Sequence, residues 1–315
     1  MKALVIHSFG GPETVAFDEI PVPQPGRGEV RVRVRAAALN PVDWKIRDGY
    51  LKDMFPHHFP VTLGWDCAGV VDAVGEGVEG FADGDAVLAY CRKDYVRDGS
   101  LAESIVLEPR HLAHKPEELS FEAAAALPLA GLTAWQALFD AGKLEKGESV
   151  LVHAAAGGVG HFAAQLAKSA GAVVLGTASV PNHGFLRSLG VDHPVDYRGD
   201  LVPNVRAAAP DGADLVFDCV GGEALERSPE CLAADGRIVS IVDPGKIEEL
   251  SGKGVRAEWV FVAPHAEQLA ELAGRVVRGE MKVEVSSVRS WKDYAAAFKD
   301  LEAGHTRGKI VLRID

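Results

Sequence analysis

The strongest chemical signal in this sequence is a glycine-rich turn at residues 155–160, at the end of the run VLVHAAAGGVG. Its pattern is A-x-G-x-x-G, the fingerprint of a dinucleotide site with Ala155 at the first glycine position. Gly157 lets the backbone approach a pyrophosphate, and Gly160 lets the following helix pack on the strand. Free N–H groups at the start of that helix favour an anion. The turn predicts a nicotinamide dinucleotide bound by Ala156, Gly157, Gly158, Val159 and Gly160.

The strand that follows indicates which dinucleotide is preferred. NAD sites usually carry an acidic residue at the end of this strand, about 20 residues after the glycines, to bind the ribose 2′-hydroxyl. Here the place holds the sequence TASVPN, residues 177–182, without a carboxylate. Hydroxyl and amide donors at Ser179 and Asn182 suit a 2′-phosphate instead. The sequence therefore predicts NADP(H), while Arg187 either reaches the phosphate or faces solvent, as charged residues usually do.

The elements around this turn alternate between strands and helices. A short buried strand at 149–154 precedes the turn, a helix at 159–170 follows it, and strands are predicted at 172–178, 215–219 and 237–242. The helix has apolar residues at the i, i+3, i+4, i+7, i+8 spacing of a single face packed on a sheet. This alternation predicts a parallel α/β domain in the middle of the chain.

The two ends of the chain have a different sequence pattern. Valines alternate with arginines at 30–35, which is the period of a strand with one buried face, and glycines then interrupt short Val- and Ala-rich runs. Helices are predicted at 121–127 and 132–144, and again at 265–278 and 291–302 before a last strand at 309–314. The first part of the chain therefore predicts a compact barrel-like β domain.

Composition narrows the possible partners. The 315 residues are 47% hydrophobic, enough for two packed domains, and carry a net charge of −12, which repels phosphate backbones and anionic lipid. We therefore expect neither nucleic acid nor a membrane as a partner. The N-terminus has only a brief apolar run, and four cysteines in so long a chain make no disulfide framework. A cytoplasmic protein with reduced thiols is expected.

Short motifs spread over nearly the whole chain carry a family resemblance. Besides the glycine turn, they are NPVDWK at 40–45, GWDCAG at 64–69, LTAW at 132–135, DYR at 196–198, DCVG at 218–221 and GKIV at 308–311. Together they resemble the medium-chain dehydrogenase/reductase superfamily, and within it the zinc-independent quinone oxidoreductase branch, which is zeta-crystallin-like.

The resemblance implies an α/β fold of two domains. One is a GroES-like β-barrel catalytic domain, and the other is a Rossmann cofactor domain with a doubly wound parallel sheet. The resemblance assigns residues 1–120 to the first part of the catalytic domain, 121–262 to the Rossmann NADP(H)-binding domain and 263–315 to the return to the catalytic domain. It also implies that the cofactor lies in the cleft between the two domains.

The same comparison argues against a catalytic zinc ion. Zinc-dependent relatives have a cysteine where this sequence has Asp43 and a histidine where it has Trp65. A catalytic zinc needs three protein ligands, and Cys67, His57 and His58 show no ligand spacing that replaces the missing ones. We therefore expect no metal, a buried Cys67 and two histidines exposed in a loop.

The chemistry that is left is hydride transfer without a Lewis acid. The resemblance implies an NADPH-dependent reductase that passes hydride to a quinone or to the β-carbon of an α,β-unsaturated carbonyl (an enone or enoyl group), so that charge develops on the carbonyl oxygen. Asn40 and Lys45 are the candidate donors to that oxygen, and Asp43 is expected to orient them or the cofactor ribose. Tyr50 and Tyr90 are possible proton donors, although such tyrosines more often pack with a wet hydroxyl. The proton donor stays open.

By the same resemblance, the cofactor site extends beyond the glycine turn. This branch often has lysine where Asn182 stands, so that an amide replaces a full positive charge. Several of the implied residues are equally typical of a sheet core. The implied residues are Thr133, Val220, Val242, Phe261 and Val262 near the nicotinamide, Ser179 and Asn182 near the 2′-phosphate, and Tyr197 near the adenosine.

Two other functions stay open at this point. One is an alcohol or ketone dehydrogenase of the zinc-dependent type, which the missing ligands disfavour. The other is a non-catalytic NADPH-binding protein with a redox-sensing or structural role. Loops at 49–60 and 91–99 are expected to line the pocket of a small carbonyl or quinone substrate. The resemblance also implies a homodimer, with residues 256–262 as the candidate edge strand.

Overall fold

The computed structural model describes residues 1–315, and the chain forms two compact units. One of them, which we call the terminal unit, comprises Met1–Leu132, Ala263–Arg278 and Val283–Asp315. The other, the central unit, comprises Thr133–Val262 and Gly279–Lys282. None of the helices has the length and apolar content needed to span a bilayer.

The first part of the chain consists mainly of short strands. They are β1 (Lys2–Ile6), β2 (Ala16–Glu19), β3 (Val30–Ala38), β4 (Val61–Thr62), β5 (Asp66–Val74), β6 (Ala86–Tyr90), β7 (Ser104–Leu107) and β8 (Leu112–His114). The helices of this part are α1 (Pro41–Arg47), α2 (Phe121–Ala126) and α3 (Pro128–Trp135), and short 3-10 turns lie at Pro12–Thr14 and Pro109–His111.

Strands and helices then alternate through the central unit, after a π-helical segment at Gln136–Ala141. The strands are β9 (Ser149–Val152), β10 (Val173–Ala178), β11 (His193–Asp196), β12 (Ala213–Asp218), β13 (Leu232–Ser240) and β14 (Arg256–Trp259). The helices are α4 (Gly160–Ser169), α5 (His183–Ser188), α6 (Leu201–Ala208), α7 (Gly222–Arg227) and α8 (Pro244–Gly252), with 3-10 turns at Val180–Asn182 and Ser228–Cys231.

The last segment of the chain returns to the terminal unit. It consists of α9 (Ala266–Val277), β15 (Val285–Ser290), a 3-10 turn at Trp291–Asp293, α10 (Tyr294–Glu302) and β16 (Lys309–Arg313). The last strand, β16, pairs antiparallel with β3 from the beginning of the chain. The first and last segments therefore share one sheet.

Two sheets build the terminal unit. One has the strand order β2-β1-β4, and the other has the order β15-β16-β3-β5-β6-β8, with β7 also paired to β3. In β3 the valines Val30, Val32 and Val34 are buried, whereas Arg33 and Arg35 are exposed. The two-residue period predicted from the sequence is therefore confirmed, and it sets which face of this strand lies in the core.

A six-stranded parallel sheet forms the centre of the central unit, in the order β11-β10-β9-β12-β13-β14. The predicted α/β fold is confirmed. Successive strands extend to one side of β9 and then to the other side, so the order reverses between β9 and β12. Open sheets of this kind bind ligands beyond the carboxyl ends of the strands, at such a reversal.

The helix after the glycine turn is buried more completely than its sequence pattern predicts. Every residue of α4 from Gly160 to Ala167 is buried, not only the predicted face, and Lys168 and Ser169 alone are more accessible. Small residues such as Ala163 and Ala164 allow close packing on all sides. A one-sided pattern therefore underestimates burial here.

The helices near residue 120 also differ from the sequence interpretation. The sequence begins the cofactor domain at residue 121, but α2 packs on β3 and β5 and belongs to the terminal unit. Its alanines Ala124, Ala125 and Ala126 are buried. The predicted single helix at 132–144 is α3 followed by the π-helical segment. Alanine-rich segments fit a strand surface as well as another helix, so composition alone does not say which unit they join.

Candidate functional site

The glycine turn joins β9 to α4 at the carboxyl end of β9. Thr177 of the neighbouring strand β10 holds this turn at two points. Its carbonyl accepts from the Ala155 N–H at 2.9 Å, and its Oγ1 accepts from the Ala154 N–H at 3.0 Å. Ala154 has a φ of +51°, in the left-handed region that few residues other than glycine adopt. These bonds fix the path of the turn.

Two glycines of the turn are needed for different reasons. A Cβ on Gly160 would lie 2.2 Å from the carbonyl oxygen of Ala154, so only glycine lets α4 start this close to the strand. A Cβ on Gly157 would meet only that same oxygen, at 3.2 Å. The N–H groups of Gly158 and Val159 donate to no group of the chain. The turn thus presents the backbone donors that a pyrophosphate needs.

A strand glycine accommodates the alanine at the first position of the fingerprint. A Cβ added to Gly176 of β10 would lie 2.8 Å from the Cβ of Ala155. The small residue is therefore needed on the strand as well as in the turn. Sequence reasoning missed Gly176, because it stands inside the ordinary strand run VVLGTA and only the fold brings it to Ala155.

Alanine at position 160 is expected to destabilise the protein by about 1–3 kcal/mol, the usual cost of forcing an extra methyl group into a packed core. The clash is with backbone at 2.2 Å, so the start of α4 must move. Urea unfolding of Gly160→Ala measures the loss. Gly157→Ala is the matched control, because its methyl group meets only one atom at 3.2 Å and should cost less. Equal stability of the two variants would contradict this account.

The other residues predicted to bind the cofactor follow the carboxyl ends of parallel strands. We call the residues that follow β9 to β14 the carboxyl edge. Thr133 is different, because it lies inside α3 and is buried. The structure brings the rest to one side of the sheet, and their contact with a cofactor stays a prediction. They are Ser179 and Asn182 after β10, Tyr197 after β11, Val220 after β12, Val242 after β13, and Phe261 and Val262 after β14.

A buried aspartate shapes the carboxyl edge beyond β12. Asp218 is fully buried, and its carboxylate accepts from the N–H groups of Val220 and Gly221 at 3.0 Å and from the Ser240 hydroxyl at 2.8 Å. It ties the ends of β12 and β13 together and leaves the Val220 side chain half-exposed at the edge. Asp218 begins the DCVG motif, but the sequence alone assigns it no role. An aspartate that ends a buried strand is the signal that could have found it.

The terminal unit contains a cluster of buried charged and polar side chains. We call Asn40, Asp43, Asp66 and Lys309 the buried polar cluster; all are at most 3% exposed. The Lys309 ammonium donates to the Leu39 carbonyl at 3.1 Å and to Asn40 Oδ1, and lies 3.4 Å from Asp66 Oδ2. Such a buried ion pair is held by the hydrogen bonds around it.

Both ends of the Asn40 amide are used within this cluster. Its Oδ1 accepts from Lys309, and its Nδ2 donates to Asp66 Oδ2 at 2.9 Å and to the Ala38 carbonyl at 3.4 Å. An amide nitrogen has two hydrogens to donate, so Nδ2 has none left over. The donor role that the sequence predicts for Asn40 stays a prediction, and this geometry favours a positioning role instead.

Asp43 lies in the first turn of α1, where Pro41 begins the helix. Its Oδ2 accepts from the Asn40 N–H at 2.7 Å, whereas its buried Oδ1 has no partner. Burial raises the pKa of Asp43 to about 7, and the nearby Asp66 carboxylate adds to the shift. Burial likewise raises the pKa of Asp66 and lowers that of Lys309, although their mutual attraction opposes both shifts. The orienting role predicted for Asp43 agrees with its place at the start of α1.

The raised pKa of Asp43 predicts that the stability of the protein depends on pH. Its pKa is about 7 in the folded protein and 3.8 ordinarily, so between these values the folded state binds a proton that the unfolded state lacks. Stability from this group therefore falls as pH rises from about 4 to 7, by on the order of 1 kcal/mol per pH unit. Asp43→Asn removes this slope, which urea unfolding at several pH values measures. The exposed control Asp53→Asn should keep it; an unchanged slope in Asp43→Asn would refute the assignment.

Lys45 is the predicted donor that remains available. It stands in the last turn of α1, half-buried, with its Nζ 5.7 Å from the centre of the Trp44 ring. Its ammonium makes no hydrogen bond or ion pair with the chain. Burial lowers the pKa of Lys45, which makes it a better proton donor than an exposed lysine. Trp44 also meets the Tyr50 ring edge-to-face at 5.8 Å.

The two tyrosines differ in their surroundings. Tyr50 is 71% exposed, whereas Tyr90 is fully buried and its hydroxyl has no partner. The expectation of a wet hydroxyl is therefore wrong for Tyr90, because β6 carries its side chain into the core of the sheet. Burial raises the pKa of Tyr90 well above its ordinary value, so this hydroxyl keeps its proton. Of the two, only Tyr50 is accessible to a proton acceptor in solution.

The side chains at the positions named for zinc do not suit the ion. Asp43 is bonded to the start of α1, Trp65 has no ligand atom, and the Cys67 thiol lies 3.5 Å from the Cys91 thiol. No group of three or more His, Cys, Asp and Glu side chains is arranged to hold a metal ion. Cys67 is buried as predicted. His58 is exposed, but His57 is half-buried against Phe9, so the predicted exposure is wrong for His57.

Two family profiles match parts of this chain. Residues 26–117 match the sequence profile of the alcohol dehydrogenase GroES-like domain, and residues 189–312 match the profile described as zinc-binding dehydrogenase. A protein of Arabidopsis thaliana named chloroplast envelope quinone oxidoreductase homolog is 34% identical over 325 residues, which cover 99% of this chain and 98% of the relative.

Solved structures extend the comparison. The quinone oxidoreductase from Coxiella burnetii superposes with a TM-score of 0.90 at 36% identity, covering 100% of this chain and 99% of that one. A structure named NAD-dependent alcohol dehydrogenase has the same TM-score and identity, with 100% of both chains covered. The Escherichia coli quinone oxidoreductase complexed with NADPH has a TM-score of 0.88 at 29% identity, again over 100% of both chains. The CurK enoyl reductase matches at a TM-score of 0.88 and 30% identity, over 100% of this chain and 99% of that one.

Proposed function

The chain belongs to the quinone oxidoreductase family of medium-chain dehydrogenases/reductases, and from this premise we propose an NADPH-dependent reductase of quinones or α,β-unsaturated carbonyl compounds. The observation that carries the proposal is the glycine turn at the carboxyl end of β9, where the N–H groups of Gly158 and Val159 are unbonded and the strand order of the parallel sheet reverses. This arrangement suits a dinucleotide pyrophosphate. The CurK enoyl reductase and the quinone oxidoreductases among the structural neighbours support the substrate class.

The cofactor in this proposal is NADPH. Its pyrophosphate would be held by the turn from Ala156 to Gly160, and its 2′-phosphate by Ser179 and Asn182, where a carboxylate is absent. The complex of the Escherichia coli relative with NADPH supports this choice, although another neighbour is named for NAD. When bound, NADPH supplies a hydride to the substrate. Equal affinity for NADH in a binding titration would refute the preference for NADPH.

The chain's own residues must stabilise the charge that develops on the substrate oxygen. We assign that role to the free ammonium of Lys45, because Asn40 and Asp43 are already bonded inside the buried polar cluster. Asn40 and Asp43 position α1, the helix that carries Lys45. A donor held in place before reaction is worth more than one that must be oriented during it. Solvent or the exposed Tyr50 then delivers the proton, to the carbon next to the carbonyl for an enone and to the oxygen for a reduced quinone.

A substrate panel tests the proposed activity. NADPH oxidation is followed with quinones, enals, enones and saturated ketones, and NADP⁺ reduction is followed with alcohols, each with and without added zinc. Turnover with quinones or conjugated carbonyls is expected. Turnover with saturated ketones that requires zinc would favour the alcohol dehydrogenase named among the neighbours. NADPH binding without turnover across the panel would favour a non-catalytic role.

Two further features of the proposal concern the state of the protein. The edge strand β14 (Arg256–Trp259) has one free side in the six-stranded sheet, and we assign it to a homodimer in which two copies pair along this edge. Sedimentation equilibrium that gives a monomer would refute the homodimer.

We also place the protein in the cytoplasm, where thiols such as the buried Cys67 and Cys91 stay reduced. Cell fractionation tests that placement.

A further inference from the structure

The predicted 2′-phosphate site contains no charged side chain of its own on β10. Ser179 and Asn182 are bonded to each other, since the Asn182 amide donates to the Ser179 hydroxyl at 3.2 Å. Both are neutral, and the chain as a whole carries a net charge of −12. Phosphate recognition in a protein this acidic calls for a cation close by, because neutral donors give weaker hydrogen bonds than charged ones.

The neighbouring strand β11 leads to a cation beside the predicted 2′-phosphate site. β11 runs parallel to β10, and Asp196 is in register with Ala178. Tyr197 follows β11 and Ser179 follows β10. The two residues therefore leave the sheet side by side, at about the 4.8 Å spacing of adjacent strands. Arg198 comes next in the chain, at the same carboxyl edge.

The Arg198 side chain is held in place yet has no acidic partner. Its guanidinium lies over the Tyr197 ring, 5.6 Å from the ring centre, and the backbone N–H of Arg198 donates to Asp196 Oδ1 at 3.2 Å. Its guanidinium makes no hydrogen bond or ion pair with the chain. The four arginines of the central unit that do have partners are Arg206, Arg227, Arg237 and Arg256. An arginine that is ordered by stacking and free of a carboxylate is suited to bind an external phosphate in bidentate fashion.

Arg187, the other arginine of the central unit with a free guanidinium, lies in a less suitable place. It stands in α5, which leaves the carboxyl edge after Asn182 and returns toward the start of β11. Five residues of helix carry it about 7.5 Å away from that edge. Its side chain is exposed and no aromatic ring holds it. Geometry therefore distinguishes two arginines that look equivalent in the sequence.

We propose that Arg198, stacked on Tyr197, binds the 2′-phosphate of the dinucleotide and so determines the preference for NADPH over NADH. The inference rests on the proposed function, whose cofactor it refines. Arg198 then supplies from the end of β11 the positive charge that the amide of Asn182 does not provide. Stacking on the Tyr197 ring restricts the guanidinium before the phosphate binds, so less side-chain freedom is lost on binding.

The test compares Arg198→Gln with Arg187→Gln, the same substitution at the other free arginine. Adenosine 2′,5′-bisphosphate and AMP are titrated into the purified apoprotein, and kcat/KM is measured for NADPH and NADH. We expect Arg198→Gln to weaken adenosine 2′,5′-bisphosphate binding and to lower kcat/KM for NADPH by about 10–100-fold, as loss of a charged hydrogen bond does. Binding of AMP and kcat/KM for NADH should change less than about threefold. Arg187→Gln should behave as wild type.

Other results overturn specific parts of the argument. If Arg198→Gln binds adenosine 2′,5′-bisphosphate as tightly as wild type does, or if Arg187→Gln shows the loss instead, the assignment of Arg198 is wrong while the NADPH-dependent activity stands. If the wild-type protein binds adenosine 2′,5′-bisphosphate no better than AMP, the NADPH preference itself fails. Circular dichroism of both variants checks the fold, which an exposed side chain should not affect.

Discussion

Methionine in place of Lys309 is expected to lower the free energy of unfolding by about 3–5 kcal/mol, the usual cost of removing one partner of a buried ion pair. Lys309 is 3% exposed, and its ammonium donates to the Leu39 carbonyl and to Asn40 Oδ1 and lies beside the Asp66 carboxylate. The substitution keeps the volume but leaves the fully buried Asp66 without its counter-charge. Equilibrium unfolding in urea measures the loss.

A second variant separates the charge effect from simple packing. Lys309→Met combined with Asp66→Asn removes the uncompensated charge of Asp66, while the asparagine oxygen can still accept from the Leu129 N–H, which lies 2.7 Å from Asp66 Oδ1 in the wild type. The double variant should therefore be more stable than Lys309→Met alone. Lys292→Met, at a lysine whose side chain is 68% exposed, is the control and should cost less than about 0.5 kcal/mol. A loss below about 1 kcal/mol in Lys309→Met would show that the cluster is not the tightly coupled unit described above.

The sequence predicts the position of the carboxyl edge well because each of its residues lies close in the chain to the strand that positions it. The glycine turn, Ser179 and Tyr197 each follow a strand within a few residues, and parallel strands bring their carboxyl ends to one edge whatever their order. The buried polar cluster is different. Lys309 and Asp66 are 243 residues apart and meet only because β16 and β5 both pair with β3. Nothing in either segment alone predicts that contact.

Burial is the second quantity that the sequence predicts poorly here. The sequence pattern favours a solvent-exposed hydroxyl for Tyr90, yet the register of β6 with β5 sets Tyr90 opposite Asp66 in the core. The methyl group of Ala155 in the turn fits because Gly176 of β10 has no side chain, which no single-residue pattern reveals. In each case the deciding fact is which residue of a neighbouring strand lies opposite, and this is a property of register.

The occupied amide of Asn40 changes the assignment of roles in the proposed reaction. The sequence offers Asn40 and Lys45 as equal donors, but the amide hydrogens of Asn40 are used by Asp66 and the Ala38 carbonyl. The free cation is Lys45, two residues before the end of α1 at Arg47. Its pKa is lowered by burial, and no carboxylate partner opposes that shift. One lysine therefore carries the electrostatic part of the proposal.

Lys45→Met is accordingly expected to lower kcat for a conjugated ketone by about 100–1000-fold, as the loss of one donor to a developing oxyanion does. The KM for NADPH should change little, because Lys45 is not among the residues proposed to hold the cofactor. Steady-state kinetics separate the two effects. Lys45→Arg retains the charge and should recover part of kcat, whereas Lys52→Met, at an exposed lysine, should leave kcat unchanged.

The pH profile distinguishes a donor from a residue that only supports the fold. Burial lowers the pKa of Lys45, so wild-type activity should fall at alkaline pH as this ammonium loses its proton. In Lys45→Arg that alkaline limb should move to higher pH, because a guanidinium stays protonated. A kcat of Lys45→Met within about threefold of wild type, or an alkaline limb that is the same in Lys45→Arg, would exclude Lys45 as the donor. The exposed hydroxyl of Tyr50 would then be the next side chain to replace, because it is the other accessible donor beside Trp44.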